Sequence, residues 1–115
     1  MFVDGMFIGL CYVETELSVI RKRLNDPNLS EFERDHLLTR QDFWVFIDQG
    51  CLSGDASYMA NLIRQLRYDP DNPELNEKLL LARRDAFNRR DKKMERDKKD
   101  FVEFMNNLLT VSVIV

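Results

Sequence analysis

The amino-acid sequence predicts an all-α fold, a small helical bundle of about four helices with a long C-terminal helix and a short terminal β-strand. Apolar residues recur at helical steps near the start of the chain, and helix-capping signals stand at Ser30 and Asn72. The chain has 115 residues, of which 44% are hydrophobic and 32% are charged, as in one folded domain. We expect three regions in this domain: a compact helical region at residues 1–69, a long charged helix at 70–109, and a strand-like tail at 110–115.

The first helix is marked by five apolar residues at alternating steps of three and four, which places them on one stripe. It should end at Asn25-Asp26-Pro27 because proline stops a helix. Residues 1–13 leave two structures open. Asp4-Gly5 between apolar flanks is typical of a hairpin turn, and a helix that starts after Asp4 fits equally well. The stripe consists of Leu10, Val13, Leu17, Ile20 and Leu24.

Ser30 followed by Glu33 forms a capping box, so a second helix should start there and run to Gly50, a natural C-cap. Within it, residues 43–47 read FWVFI, five consecutive large apolar residues. Such a run wraps a helix completely and therefore favours a core position or a partner contact. The same residues also fit a buried strand, since Phe, Trp, Val and Ile favour sheets.

Two more helices should follow. Ser53 and Asp55 can each cap the third, and Asn72 caps a fourth that has Pro73 at its first position. The fourth could run to about Leu109, roughly 55 Å, while the three earlier helices span only roughly 20 to 30 Å each. They can cover about half of it. An apolar residue recurs at every seventh position of this helix: Leu80, Phe87, Met94, Phe101 and Leu108.

Charge is distributed unevenly along the chain. Residues 1–82 carry eight Lys/Arg and fourteen Asp/Glu, whereas residues 83–100 carry nine and five. At about 100° per residue, the basic side chains of the second segment point in nearly every direction, with acidic residues between them. Pairs such as Asp85 and Arg89 can then stabilise an exposed helix. Without a basic stripe to meet phosphates, we expect no nucleic-acid partner.

The sequence provides no recognisable catalytic or metal site, and we predict that the protein is not an enzyme and has no cofactor. His36 is the only histidine, so a di-iron site built on Glu33 and His36 lacks its second Glu-x-x-His pair. Cys51 lies about 22 Å from His36 along one predicted helix, too far for a nucleophilic dyad. Cys11 and Cys51 form no C-x-x-C motif, which indicates buried thiols in a reducing compartment. We expect a cytoplasmic protein without a membrane segment.

The best-supported hypothesis is a non-catalytic protein that acts through protein–protein interaction or oligomeric assembly. The all-round apolar run and the single apolar ridge of a coiled-coil-like helix favour it. The size of the chain is typical of phage or mobile-element accessory proteins and of virion assembly proteins, which would place it in the host cytoplasm or the virion. The predicted partner or oligomer interface comprises Phe43, Trp44, Phe46, Phe87, Met94, Phe101 and Phe104.

The alternative hypothesis is a nucleic-acid-binding regulator in which the second and third helices form a helix-turn-helix. The segment from 30 to 69 carries a net charge of −3, which would repel DNA. The predicted contacts for this alternative are Asn61, Arg64, Arg67, Arg89, Arg90, Lys92 and Lys93.

Overall fold

The computed structural model describes the backbone of residues 2–114 and the side chains of residues 12–110. Helices make up 86% of the chain, so the predicted all-α class is confirmed. Residues 1–13 and 43–47, for which the sequence left two structures open, are helical from Phe2 onward. The four helices are α1 (Phe2–Leu24), α2 (Glu31–Asp48), α3 (Ser53–Tyr68) and α4 (Pro73–Ile114).

The β-strand predicted for residues 110–115 is not seen, because the backbone as far as Ile114 belongs to α4. Val and Ile are only a few tenths of a kcal/mol less favourable in a helix than good helix formers. A strand, by contrast, needs a neighbouring strand for its backbone hydrogen bonds, and residues 2–114 contain no strand. With no proline or glycine after Pro73, continuing the helix satisfies more backbone groups.

The predicted caps of α2 and α4 are confirmed. The Ser30 hydroxyl accepts a hydrogen bond from the Glu33 backbone N–H at 3.1 Å. Asn72 Oδ1 accepts two, from Glu74 at 3.0 Å and from Leu75 at 3.2 Å. Each side chain thereby satisfies donors that the first turn of a helix leaves unpaired.

Gly50 ends α2, as predicted, in a position that only glycine adopts readily. Its φ is +92°, and its N–H donates to the Ile47 carbonyl while that of Cys51 donates to the Phe46 carbonyl. This pair of bonds is a Schellman motif. The turn lets the chain reverse into α3 within four residues.

The predicted cap of α3 is wrong. Ser53 and Asp55 lie inside the helix, and Leu52 occupies the N-cap position without any side-chain hydrogen bond. The Schellman turn just before α3 determines where the helix begins. It places Leu52 at the N-cap, so Ser53 follows the N-cap position by one residue. Asp55 instead binds Arg89 of α4.

Each helix packs against the one that follows it along the chain. Near the start of α2, Arg34 donates to the carbonyl of Leu24 at the end of α1, and Arg40 binds Glu16 further back. α1 and α2 therefore run antiparallel. The Cα atoms extend over 65 × 33 × 13 Å, so the molecule is elongated and flat.

The main hydrophobic cluster lies where α2, α3 and α4 meet, and the α1 residues Val13, Leu17 and Ile20 are buried as well. Met59 and Ala56 of α3 and Ala86 of α4 are completely buried, and Phe46 of α2 is only 7% exposed. Alanines on both sides of the α3–α4 contact let the two helix axes approach closely. The larger side chains then fill the space toward α2: Phe43, Ile47, Ile63, Leu75, Leu79 and Phe87.

α4 leaves this core halfway along its length. All residues from Asp91 to Thr110 are exposed, and we call residues 91–110 the overhang. The total surface of 9048 Å² exceeds the about 6,600 Å² expected of a compact protein of this mass. The Cα radius of gyration, 19.3 Å, likewise exceeds the compact value of about 13 Å. As the helix lengths predict, only about half of α4 is covered.

Leu62 and Leu80 provide a matched test of where the core ends. Leu62 is 3% exposed in the core, whereas Leu80 of α4 is 69% exposed. We expect Leu62→Ala to lower the free energy of unfolding by about 2 to 5 kcal/mol, because it removes buried methyl groups and leaves a cavity. Leu80→Ala should change it by no more than about 0.5 kcal/mol. Urea unfolding followed by circular dichroism measures both, and equal losses would contradict this description of the core.

Candidate functional site

The residues predicted for a protein interface separate into two groups. Phe46 is buried in the core, and Phe43 and Phe87 pack against it. Trp44 is half-buried between α1 and α2, where its ring meets that of Tyr12 edge-on at 5.3 Å and that of Phe43 at 5.0 Å. These four side chains hold the helices together. The other three predicted residues lie exposed on the overhang: Met94, Phe101 and Phe104.

The two arginines predicted to read DNA bases from α3 are directed at α2 instead. Arg64 Nε donates to Asp35 Oδ2 at 2.7 Å, and an Arg67 terminal nitrogen donates to Asp35 Oδ1 at 3.0 Å. Arg67 also donates to the hydroxyl of Thr39 at 2.7 Å and to the carboxylate of Asp42 at 3.4 Å. Asp35 is buried, so its charge requires these partners. The result is a polar clamp between the start of α2 and the end of α3.

This clamp identifies the α2–α3 pair as an antiparallel hairpin. At one end Asp35 binds Arg67, and at the other Phe46 lies in the core with Ala56. Helices that touch at both ends run side by side, whereas those of a helix-turn-helix cross at about 90 to 120°. The geometry gives no support to the DNA-binding motif.

Three carboxyl groups in these contacts have displaced pKa values. The Arg64 hydrogen bond holds the pKa of Asp35 below its ordinary value against the opposing effect of burial. The Arg89 hydrogen bond likewise lowers the pKa of Asp55. Burial raises the pKa of Asp42, since its distance from Arg67 leaves the charge less well compensated. Asp35 and Asp55 therefore favour the folded state when ionised, whereas the ionised form of Asp42 opposes it.

Two further arginines of the predicted nucleic-acid set mark the point where α4 leaves the core. Arg89 binds both carboxylate oxygens of Asp55, at 2.7 and 2.9 Å. Arg90 donates to the Gln49 carbonyl at 3.1 Å and to Asp91 at 2.8 Å, and its guanidinium lies 4.7 Å from the centre of the Phe87 ring. Arg89 thus bridges to α3 rather than binding Asp85 along its own helix. The remaining members of that set are exposed: Asn61, Lys92 and Lys93.

The overhang changes character at Phe101. Residues 91–100 are charged on every side, with Met94 as their one large apolar side chain. From Phe101 onward, the side chains segregate at about 100° per residue into an apolar arc and an opposite arc with Glu103, Asn106 and Thr110. We call the apolar arc the terminal apolar face. It consists of Phe101, Val102, Phe104, Met105, Leu108 and Leu109, which are 41 to 63% exposed.

Residues 12–110 contain no group of three or more His, Cys, Asp or Glu side chains that could hold a metal ion. None of the described helices is both long and apolar enough to cross a membrane. An open groove of about 730 Å³ between α2 and α3 is lined by His36, Trp44, Tyr58 and Asn61, among others.

No protein-family model, curated protein or solved structure matches this chain.

The polar clamp is the feature that sequence reasoning missed, although a signal for it exists. Asp35, Thr39 and Asp42 recur at steps of four and three on α2, and Arg64 and Arg67 are three apart on α3. Such complementary polar stripes on successive helices predict a contact once the helices are known to be antiparallel. The terminal apolar face has a similar signal, because Phe104, Met105 and Leu108 follow Phe101 at steps of three, four and seven.

Asp35 should make the free energy of unfolding depend on pH in the acidic range. Its lowered pKa means that it stabilises the fold above the unfolded-state pKa of about 3.9 and loses this contribution as pH falls further. We expect Asp35→Asn to reduce the free energy of unfolding at pH 7 and to flatten its decline below about pH 4. The exposed Asp71 provides the control, since Asp71→Asn should change neither quantity. Denaturant unfolding at several pH values checks this, and an unaltered acid decline in Asp35→Asn would contradict it.

Proposed function

We propose that this protein is a non-catalytic interaction protein that binds another protein chain through the overhang of α4. The observation that carries the proposal is the exposure of the terminal apolar face, where Phe101 is 63% and Phe104 is 58% exposed. A contiguous apolar patch on an otherwise polar helix is characteristic of a surface that another molecule covers. α1, α2 and α3 serve as the support that holds the first half of α4.

The free energy of burying apolar side chains supports the proposal that a partner covers the terminal apolar face. Burying one Phe, Leu, Met or Val side chain fully contributes about 1.5 to 3 kcal/mol. Six half-exposed side chains together therefore represent several kcal/mol that the folded monomer does not gain. A partner that lays an apolar surface against this arc would recover that free energy.

The rigidity of the first half of α4 supports the same proposal. Arg89 and Arg90 fix the helix to α3 and to the α2–α3 turn immediately before the overhang begins. The charged residues 91–100 then project the terminal apolar face about 15 Å from that anchor, at 1.5 Å per residue. A helix held in this way presents its apolar arc in one direction, which lowers the ordering cost of binding.

The pairing of four arginines on α3 and α4 favours a protein partner over nucleic acid. Arg89 is bound to Asp55, Arg90 to Asp91 and the Gln49 carbonyl, and Arg64 and Arg67 to Asp35. These arginines already bind partners within the chain. If they bound phosphates instead, the carboxylates that they now contact would be left unpaired. That the protein is no enzyme, and that it is a phage accessory or virion assembly protein, remain predictions from the sequence.

Site-specific photo-crosslinking in the native cell tests the proposed function. A photoreactive phenylalanine analogue at Phe104 should form covalent adducts with other protein chains, because this position lies on the covered arc. The matched control is the same analogue at Asn106, two residues away on the opposite, polar arc, where adducts should be several-fold weaker. Adducts with another copy of the chain and adducts with a different protein both support the proposal. The absence of any Phe104 adduct above the Asn106 level would overturn it.

A further inference from the structure

We infer that the partner of the terminal apolar face is the same face of a second copy of this chain, packed antiparallel to form a symmetric dimer. This inference rests on the proposed function and specifies its partner. Three properties of the described residues point to this occupant: the charge of the segment, the position of Asp97, and the apolar area that remains exposed.

The terminal apolar face lies in a segment that is almost free of charge. From Phe101 to Thr110 the one ionisable side chain is Glu103, and it lies on the opposite arc. An identical segment can therefore approach without bringing like charges together in the contact. Strongly charged partners, such as an acidic protein surface, gain nothing here. A twofold axis through the middle of the segment lays the apolar arc of one copy against the apolar arc of the other.

Asp97 determines the direction of the pair. It precedes Phe101 by four residues and lies within the same arc of the helix, one turn closer to the core. In a parallel pair, each residue lies opposite the residue of the same number in the other copy. The two Asp97 carboxylates would then lie against each other, and burying two like charges together is costly. In an antiparallel pair centred between residues 105 and 106, Phe101 lies opposite Thr110. Asp97 then lies opposite residue 114, the last residue of the partner's α4, so the two Asp97 side chains are kept apart.

The exposed area is sufficient for a weak dimer. A phenylalanine that is completely covered buries about 150 to 250 Å², so Phe101 and Phe104 at about 60% exposure each offer about 90 to 150 Å². With Val102, Met105 and Leu109, a chain presents on the order of 500 Å², or about 1,000 Å² for the pair. Stable complexes bury about 1,200 to 2,000 Å² in total, and weaker ones less. We expect a dimer with a dissociation constant in the micromolar range.

Light scattering coupled to gel filtration of the full chain tests self-association. The mass should rise from 13.7 kDa toward twice that value across the micromolar range. Phe104→Ser should raise the dissociation constant at least tenfold, whereas Asn106→Ser on the polar arc should leave it within about twofold. Phe104 is 58% exposed and outside the core, so helicity and thermal unfolding of a dilute sample should be the same in both variants.

Spin-label distances test the direction of the pair. Labels on Lys99→Cys lie six to seven residues from the predicted centre and should be about 20 Å apart along the axis, whereas labels on Asn106→Cys should be offset by about 2 Å. A Cys11→Ala background removes one competing thiol, and Cys51 is buried. Equal distances at the two sites would indicate a parallel pair and overturn the inference.

The remaining outcomes separate this inference from the proposed function. A chain that stays monomeric at high micromolar concentration, while its Phe104 analogue forms adducts with a different protein in the cell, overturns the dimer and leaves the proposed function standing. Binding of the monomer to phosphatidylcholine vesicles without self-association also overturns the dimer. A monomer that forms no Phe104 adduct overturns both. A dimer whose dissociation constant is unchanged by Phe104→Ser overturns the interface assigned here.

Discussion

The length of α4 relative to the helix it packs against is the constraint on which the rest of this structure depends. α4 has 42 residues and extends about 63 Å, whereas α3 has 16 and extends about 24 Å. The contact between α3 and α4 stops at the ion pair of Arg89 and Asp55, because α3 begins only two residues before Asp55. The part of α4 beyond Arg90 must therefore be solvated or covered by another molecule. The all-round charge of residues 91–100 suits the first state, and the terminal apolar face suits the second.

Much of the fold could be predicted because its signals are local. The cap at Ser30, the proline after Asn72 and the glycine after α2 each act within a few residues, so the helix boundaries follow from short stretches of sequence. The partial covering of α4 follows from helix lengths alone. The exposure of Phe101 and Phe104 follows in turn, since both lie in the part of α4 that the other helices are too short to reach.

What could not be predicted depends on which helix faces which. The seven-residue ridge combines Phe87, which packs against the core, with Phe101, which is exposed, because the contact with α3 stops between them, near the first residues of α3. The arginines of α3 resembled a DNA-reading surface until the antiparallel packing of α2 placed Asp35 against them. The β-strand at the end of the chain was predicted from residue preferences that are weaker than the benefit of extending an existing helix.

Hydrogen exchange along α4 tests the central claim that its own chain fixes the first half of the helix and that a second chain binds the exposed second half. In a dilute sample, the amides of residues 79–89 should be strongly protected, and those of residues 92–110 should exchange far faster, because no packing opposes their local opening. At concentrations where the mass doubles, residues 101–110 should gain protection. Equal protection of both halves in a dilute monomer would contradict the account, because it would mean that the overhang packs on its own chain.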